Sequence, residues 1–302
     1  MSYLCKSVSC YIMIKKKSYL IFKIIISILF LVFLFYIIKP QQILSALRNA
    51  DAIWIILALL LLPLNMFLQS LRWKVLVTLS KEKVSNKEIL SSILYSFSYS
   101  IFTPARLGEI GRAFHITNSK KDEMVVLAFY EKFFAFCALM LFGLISLSFH
   151  ESFYYLIAVV AVIVLMFSSK YLAQHLPYFK RYTSILSGVH TSKILLISLL
   201  FVFVYIFQFY LILNAFRPVN IFGAFFFISI VMLVNAIPIT FSGLGLRELA
   251  SVYFFKQIFV NPGQAASASL ILFTINILLP TFTGFILHLL PSHTTASQQE
   301  EE

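Results

Sequence analysis

The sequence predicts an all-α polytopic membrane protein built as an inverted repeat, each half running span, span, interrupted hairpin, span. Three observations predict it. First, the chain of 302 residues is 60% hydrophobic and only 12% charged, about half the ~25% charge of a soluble domain. Second, several apolar runs approach the ~20 residues that a membrane-spanning helix needs. Third, two other apolar stretches break in the same way. One reads Phe102-Thr-Pro104-Ala-Arg106-Leu-Gly108-Glu109-Ile-Gly111-Arg112 and the other Ile237-Pro238-Ile-Thr240-Phe-Ser242-Gly243-Leu-Gly245-Leu-Arg247-Glu248. Proline removes a backbone donor and glycine loosens the chain, so both segments read as broken helices. Lipid tolerates a break only where protein or a water-filled cavity satisfies the freed polar groups. The alternating ten-residue segments of a transmembrane barrel are absent from the sequence.

In chain order, spans are expected at about 18–38, 52–71, 124–149, 153–169, 194–214 and 265–289, with the interrupted segments at about 89–117 and 223–259. Residues 1–17 read as a cytoplasmic segment and 18–290 as one transmembrane domain. Its inverted halves lie at about 18–149 and 153–289, followed by a polar acidic tail over 291–302. Met13, just before Lys15-Lys16-Lys17, reads as a second candidate start, and the first span as an uncleaved anchor. Each arm of an interrupted segment has roughly 13–17 residues, which at ~1.5 Å per residue falls short of the ~30 Å hydrocarbon core. Re-entrant hairpins are therefore expected.

The net charge is +12. In a soluble chain this would point to nucleic acid; here most basic residues flank apolar spans, where they set orientation. Lys and Arg are rich in 1–17, 72–88, 118–123 and 170–193, and poor in 39–51, 150–152 and 215–222. The rich segments are cytoplasmic by the positive-inside rule, so both termini are expected inside a cell membrane, and no nucleic-acid partner is expected. Cys5, Cys10 and Cys137 form neither a metal spacing nor a disulfide framework. No cofactor, metal site or catalytic motif is expected.

The candidate substrate-binding residues are Arg106, Glu109, Arg112, Glu131, Arg247 and Glu248. The candidate backbone breaks are Pro104, Gly108, Pro238, Gly243 and Gly245. Arg106, Glu109 and Arg112 recur every third residue and share a helix face, which His115 extends. A helix over 105–117 would point its N-terminus at the break, an arrangement that favours an anion. Arginine adds a planar fork matched to phosphate. Glu131 is expected to pair with Arg112 or Arg106. Arg247 and Glu248 point ~100° apart on a helix and are expected to take different partners. Arg112 and Arg247 are expected to face one shared cavity, held by Glu109 and Glu248. Thr240 and Ser242 line the second break, and Asn235 and Asn276 suit interhelical hydrogen bonds.

The two motifs, with Glu131-Lys132 between them, resemble the membrane region of the bacterial lysylphosphatidylglycerol synthases, over roughly residues 18–290. Two departures stand out: the family often has Gly-Gly where this chain has Ser242-Gly243, and Arg where it has Lys132. The resemblance implies a flippase-type fold and a membrane lipid, anionic or polyprenyl-linked, as partner, without implying aminoacyl-lipid as the substrate. The sequence contains no synthetase region, so it is not expected to make aminoacyl-lipid itself. The leading expectation is a transporter of a phospholipid or lipid-linked anionic headgroup. The alternatives are an integral-membrane transferase, or the partner of a lipid-modifying enzyme, and a non-transporting scaffold.

Overall fold

A computed structural model describes residues 40–289 apart from 82, 101, 102, 104, 105, 118, 188, 238, 239, 241 and 242. The expected span at 18–38, the basic N-terminal segment, Met13, the acidic tail, Pro104, Pro238 and Ser242 lie outside the described residues.

Among the described residues the protein is all-helical. Five helical stretches are long and apolar enough to cross a membrane: Ala52–Val77, Lys121–Phe149, Tyr155–His175, Thr191–Asn214 and Pro262–Leu287. They match five of the six expected spans. The protein is a multi-pass membrane protein, and its polarity is arranged accordingly. Ile53, Ile157, Val164 and Phe167 are exposed, whereas Asn65, Gln69, Arg72, Glu109, Arg112, Glu131, Gln208, Arg247 and Glu248 are buried.

A short amphipathic helix, α1 (Pro40–Arg48), leads to α2 (Ala52–Leu60), which Asp51 caps by accepting from the Ile53 amide at 2.9 Å. Pro63 opens the next helix, α3 (Leu62–Val77), and kinks this span. Gln208 donates to the Ala58 carbonyl at 2.7 Å beside the kink. The helix continues five residues past Arg72, which therefore belongs to the span and not to the following loop. The charge is tolerated there because Glu131 accepts from Arg72 Nε at 2.9 Å.

The first hairpin is α4 (Asn86–Ser100), a break, and a nine-residue 3-10 helix over Leu107–His115. The expected α-helix is thus wound more tightly, with i and i+3 side chains eclipsed. Arg106 enters it in the left-handed region at φ 54°, a conformation that costs a non-glycine residue about 1–2 kcal/mol. The arms touch at Gly108, where a Cβ would lie 2.5 Å from the Tyr99 backbone. At the base, Glu88 accepts from the Thr117 amide at 2.7 Å, and Lys81 donates to Glu88 at 2.9 Å.

Two spans follow, α5 (Lys121–His150) and α6 (Tyr155–His175), then the short helices α7 (Pro177–Lys180) and α8 (Thr183–Ser187), and the span α9 (Thr191–Asn214). The second hairpin is α10 (Ile221–Asn235), a break with Gly243 at φ 78° and Gly245 at φ 83°, and α11 (Leu246–Phe255). Its base closes where Arg217 donates to the Phe259 carbonyl at 2.6 Å. The last span is α12 (Pro262–Phe273), a π-helical turn over Thr274–Leu278, and α13 (Leu279–Leu289).

The two bases lie at opposite ends of the molecule. Lys81, just beyond α3, reaches Thr117, whereas Asp51, before α2, donates its amide to Ala215 at 2.8 Å. The 15 residues of α4 and of α10 rise about 22 Å each, less than the ~30 Å hydrocarbon core.

Candidate functional site

The breaks of both hairpins open onto one cavity of about 270 Å³. Its wall takes Asn65, Gln69 and Arg72 from α3, Arg106 and Glu109 from the first break, and Lys132 from α5. Phe201 and Tyr205 come from α9, Asn235, Thr240 and Gly243 from the second hairpin, and Asn276 from the π-helical turn. Arg106 and Lys132 are the accessible charges, with side chains 28% and 34% exposed.

Behind these residues runs an ion-pair chain. Arg72 Nη2 pairs with Glu131 at 2.9 Å, and Glu131 accepts from Arg112 Nη1 at 2.7 Å. Arg112 Nη2 reaches Glu109 at 3.2 Å and its Nε donates to the Glu109 carbonyl at 2.8 Å. Glu109 also meets Arg106 at 2.6 Å and Lys132. Four cations share two carboxylates, which leaves the chain at +2 with all groups ionised. Arg72 also lies over Phe201 and Arg106 over Phe97, with 5.1 and 5.3 Å to the ring centroids.

Several buried polar atoms of the cavity-lining residues make no hydrogen bond among the described residues: Arg106 Nε, Asn65 Oδ1, Asn235 Oδ1 and Thr240 Oγ1. Glu109 Oε1 is held only by its ion pair with Arg106, without hydrogen-bond geometry. Unpaired buried polar atoms cost about 1–3 kcal/mol each, and these four belong to residues that surround one cavity.

The family comparison agrees with the motifs. A model described as lysylphosphatidylglycerol synthase TM region matches residues 20–284. The chain belongs to this family. No curated protein matches it. In this member of the lysylphosphatidylglycerol synthase TM region family, the six sequence candidates separate into three pairs. Arg106 and Glu109 line the cavity. Arg112 and Glu131 lie behind its wall, and Arg247 and Glu248 lie away from it.

The expectation that Arg112 and Arg247 face a shared cavity is corrected by this arrangement. Arg112 is 1% exposed, and all three of its nitrogens are engaged. Arg247 is fully buried and lies over Phe273. Nor do Arg247 and Glu248 take different partners. Arg247 Nη2 donates to Glu248 at 2.6 Å, and Ser269 bridges them, accepting from Arg247 Nε at 2.8 Å and donating to Glu248 at 2.9 Å. Glu248 also accepts from the Gly245 amide at 2.7 Å, which ties the second break to its helix. The guanidinium folds back across the ~100° between adjacent helical positions.

Glu131 takes Arg112, as expected, but its second partner is Arg72 and not Arg106. His115 lies on the expected helix, here of the 3-10 type, and stacks on Tyr95 with centroids 4.6 Å apart. Asn276 meets the interhelical expectation, donating to Gln208 at 2.8 Å, whereas the Asn235 oxygen is buried against Gly243 without a hydrogen bond. On α3 three wall residues escaped the sequence reading: Asn65, Gln69 and Arg72. Their i, i+4, i+7 spacing on one apolar helix was the available signal.

Proposed function

We propose that the protein is a lipid transporter of the flippase type, which takes a phospholipid or lipid-linked phosphate headgroup into the cavity between its two hairpins. The observation that carries this is the +2 ion-pair chain, whose accessible members Arg106 and Lys132 stand on the cavity wall. Excess positive charge inside a membrane is expensive, and intramembrane charge of this kind marks substrate pathways. A phosphate supplies the missing negative charge and accepts from guanidinium donors. The acyl or prenyl chains remain in the bilayer, since a cavity of about 270 Å³ holds a headgroup and not a lipid.

The hairpins enter from opposite ends, as in an inverted repeat, and a site between two such repeats suits alternating access. The transferase alternative needs a free acid or base, and its candidates are all engaged. Glu109 faces three cations, Glu131 two, Glu248 is bound to Arg247, and His115 stacks on Tyr95.

The direct test is Arg106→Gly. It removes a cavity cation, relieves the left-handed strain, and leaves Glu109 with Arg112 and Lys132. Translocation of a fluorescent anionic phospholipid in liposomes should fall at least tenfold, with thermal stability retained or raised. Wild-type translocation by this variant would end the proposal.

By the positive-inside rule, the end carrying Lys81, Lys120 and Lys121 is cytoplasmic, in a cell membrane, with both termini on that side. Single cysteines at positions 81, 119 and 184 should resist a membrane-impermeant maleimide in intact cells, and those at 49, 152 and 218 should react. The opposite pattern would reverse the orientation.

A further inference from the structure

We infer that the protein holds an anionic phospholipid at a site separate from the central cavity. One acyl chain lies in a groove between α5 and α6, and the phosphate meets Lys180 and Arg181. This site does not rest on the transport reading.

The groove has a volume of about 290 Å³. Its walls are Phe129 and Phe133 of α5, Leu165, Leu172 and Leu176 from α6 and its C-terminal end, and Phe179 of α7. Phe129, Leu165, Leu172 and Leu176 are exposed, so the groove opens outward. Both helices are long and apolar enough to cross a membrane, and an outward apolar groove on such helices faces hydrocarbon. Tyr130 and Ser169 are its polar residues; both are buried, and their hydroxyls bond to each other. A polar ligand would find no free partner there, whereas an acyl chain needs none.

The length of the groove fits the same occupant. The eleven residues from Leu165 to Leu176 rise about 16 Å at ~1.5 Å each. Half of the ~30 Å hydrocarbon core is about 15 Å. The groove therefore runs through one leaflet and stops where α6 stops.

Charge at that stop selects the headgroup. Residues 170–193 contain Lys170, Lys180, Arg181 and Lys193 and no acidic residue. The acids at the start of α5, Asp122 and Glu123, are offset by Lys120 and Lys121, which precede them. The Lys180 amide donates to the Leu176 carbonyl at 2.9 Å, so the residues that close the groove adjoin Lys180 and Arg181, both exposed. Tyr182 and Leu186 are buried, and Lys170 donates to the Ser187 carbonyl at 3.3 Å. The turn after α7 is thereby fastened to the protein, with its two cations left outward. Basic residues held at a membrane surface attract anionic lipid. Phe129, Tyr130 and Phe133 of the groove interleave with Glu131 and Lys132 of the ion-pair chain. A chain in the groove thus braces that stretch of α5 from the lipid side.

The experiment is photo-crosslinking of the purified protein in nanodiscs. The probe is phosphatidylglycerol with a diazirine near the end of one acyl chain, compared with phosphatidylcholine carrying the same chain. Labelled peptides are mapped by mass spectrometry. Phosphatidylglycerol should label the stretches around Phe133 and Leu165 in preference to the exposed face around Ile157, and more than phosphatidylcholine does. Lys180→Gln combined with Arg181→Gln should lower that labelling about tenfold, the effect of removing two interfacial cations. Both residues are exposed, so this variant should melt like wild type in detergent alone. Leu172→Trp, which fills the groove from its rim, should lower labelling by both lipids. Arg106→Gly should leave groove labelling unchanged. Equal labelling by the two lipids, or by the double variant and wild type, would overturn the anionic site. Labelling spread evenly over α6 would show that the groove holds no chain. Loss of groove labelling in Arg106→Gly would show that the groove is part of the central cavity's path and not a separate site.

Discussion

Glu109→Gln is expected to be the most damaging single substitution in the ion-pair chain. Glu109 is 3% exposed and faces Arg106, Arg112 and Lys132 together. Glutamine has nearly the same shape, so packing is preserved and the charge alone changes. The chain then rises from +2 to +3, with Glu131 left as the one carboxylate for four cations. The amide also presents N–H donors to groups that are themselves donors. Removing one partner of a buried ion pair typically costs about 3–5 kcal/mol, a large part of the ~5–15 kcal/mol that holds a domain folded. Folded yield in detergent should collapse, with any surviving protein melting well below wild type. A second substitution separates charge from shape: Lys132→Met in the Glu109→Gln background returns the chain to +2 and should recover much of the stability. A Glu109→Gln protein that melts like wild type, or a double variant no better than the single, would show that the chain is not electrostatically coupled.

How much of this was legible in the sequence depended on the range of the interaction. Five spans were readable because twenty apolar residues in a row carry their own signal. The breaks were readable because proline and glycine act locally, and Gly243 and Gly245 do take positive φ. Arg106, Glu109 and Arg112 were readable as one face, since threefold spacing aligns them in either helix type. The depth of each on that face was not. Along a 3-10 helix Arg112 lies about 12 Å beyond Arg106 at ~2 Å per residue, which carries it past the cavity and onto Glu131. Arg72 was counted among loop cations because its partner lies 59 positions away on another helix. No local pattern announces that pairing. The amides of Asn65, Gln208 and Asn276 meet only through the packing of three spans.

Substitutions at Gly108 and Gly243 should have opposite consequences, although both residues fill tight places. At Gly243 an added Cβ would lie 2.1 Å from Asn235 Oδ1, and the backbone stands at φ 78°. The obstacle is the tip of a side chain on the cavity wall, which can move. In Gly243→Leu the asparagine is displaced and the leucine fills the cavity, with a conformational cost of about 1–2 kcal/mol. The fold should persist, with thermal stability lowered by only a few degrees, while lipid translocation is abolished. At Gly108 the added Cβ would lie 2.5 Å from the Tyr99 carbonyl carbon and oxygen. That obstacle is backbone inside α4, which is fixed by its own hydrogen bonds. Relief requires the hairpin arms to part, and parting them pulls Glu109 away from Lys132 and Arg112 from Glu131. Gly108→Ala, the smaller change, should therefore cost folded protein as well as transport. Size-exclusion profiles, melting curves and liposome translocation measured on the two variants side by side decide this. If Gly243→Leu transports normally, the second break does not line the substrate path. If Gly108→Ala remains as stable as Gly243→Leu, the close approach of the hairpin arms is not what holds the ion-pair chain in place.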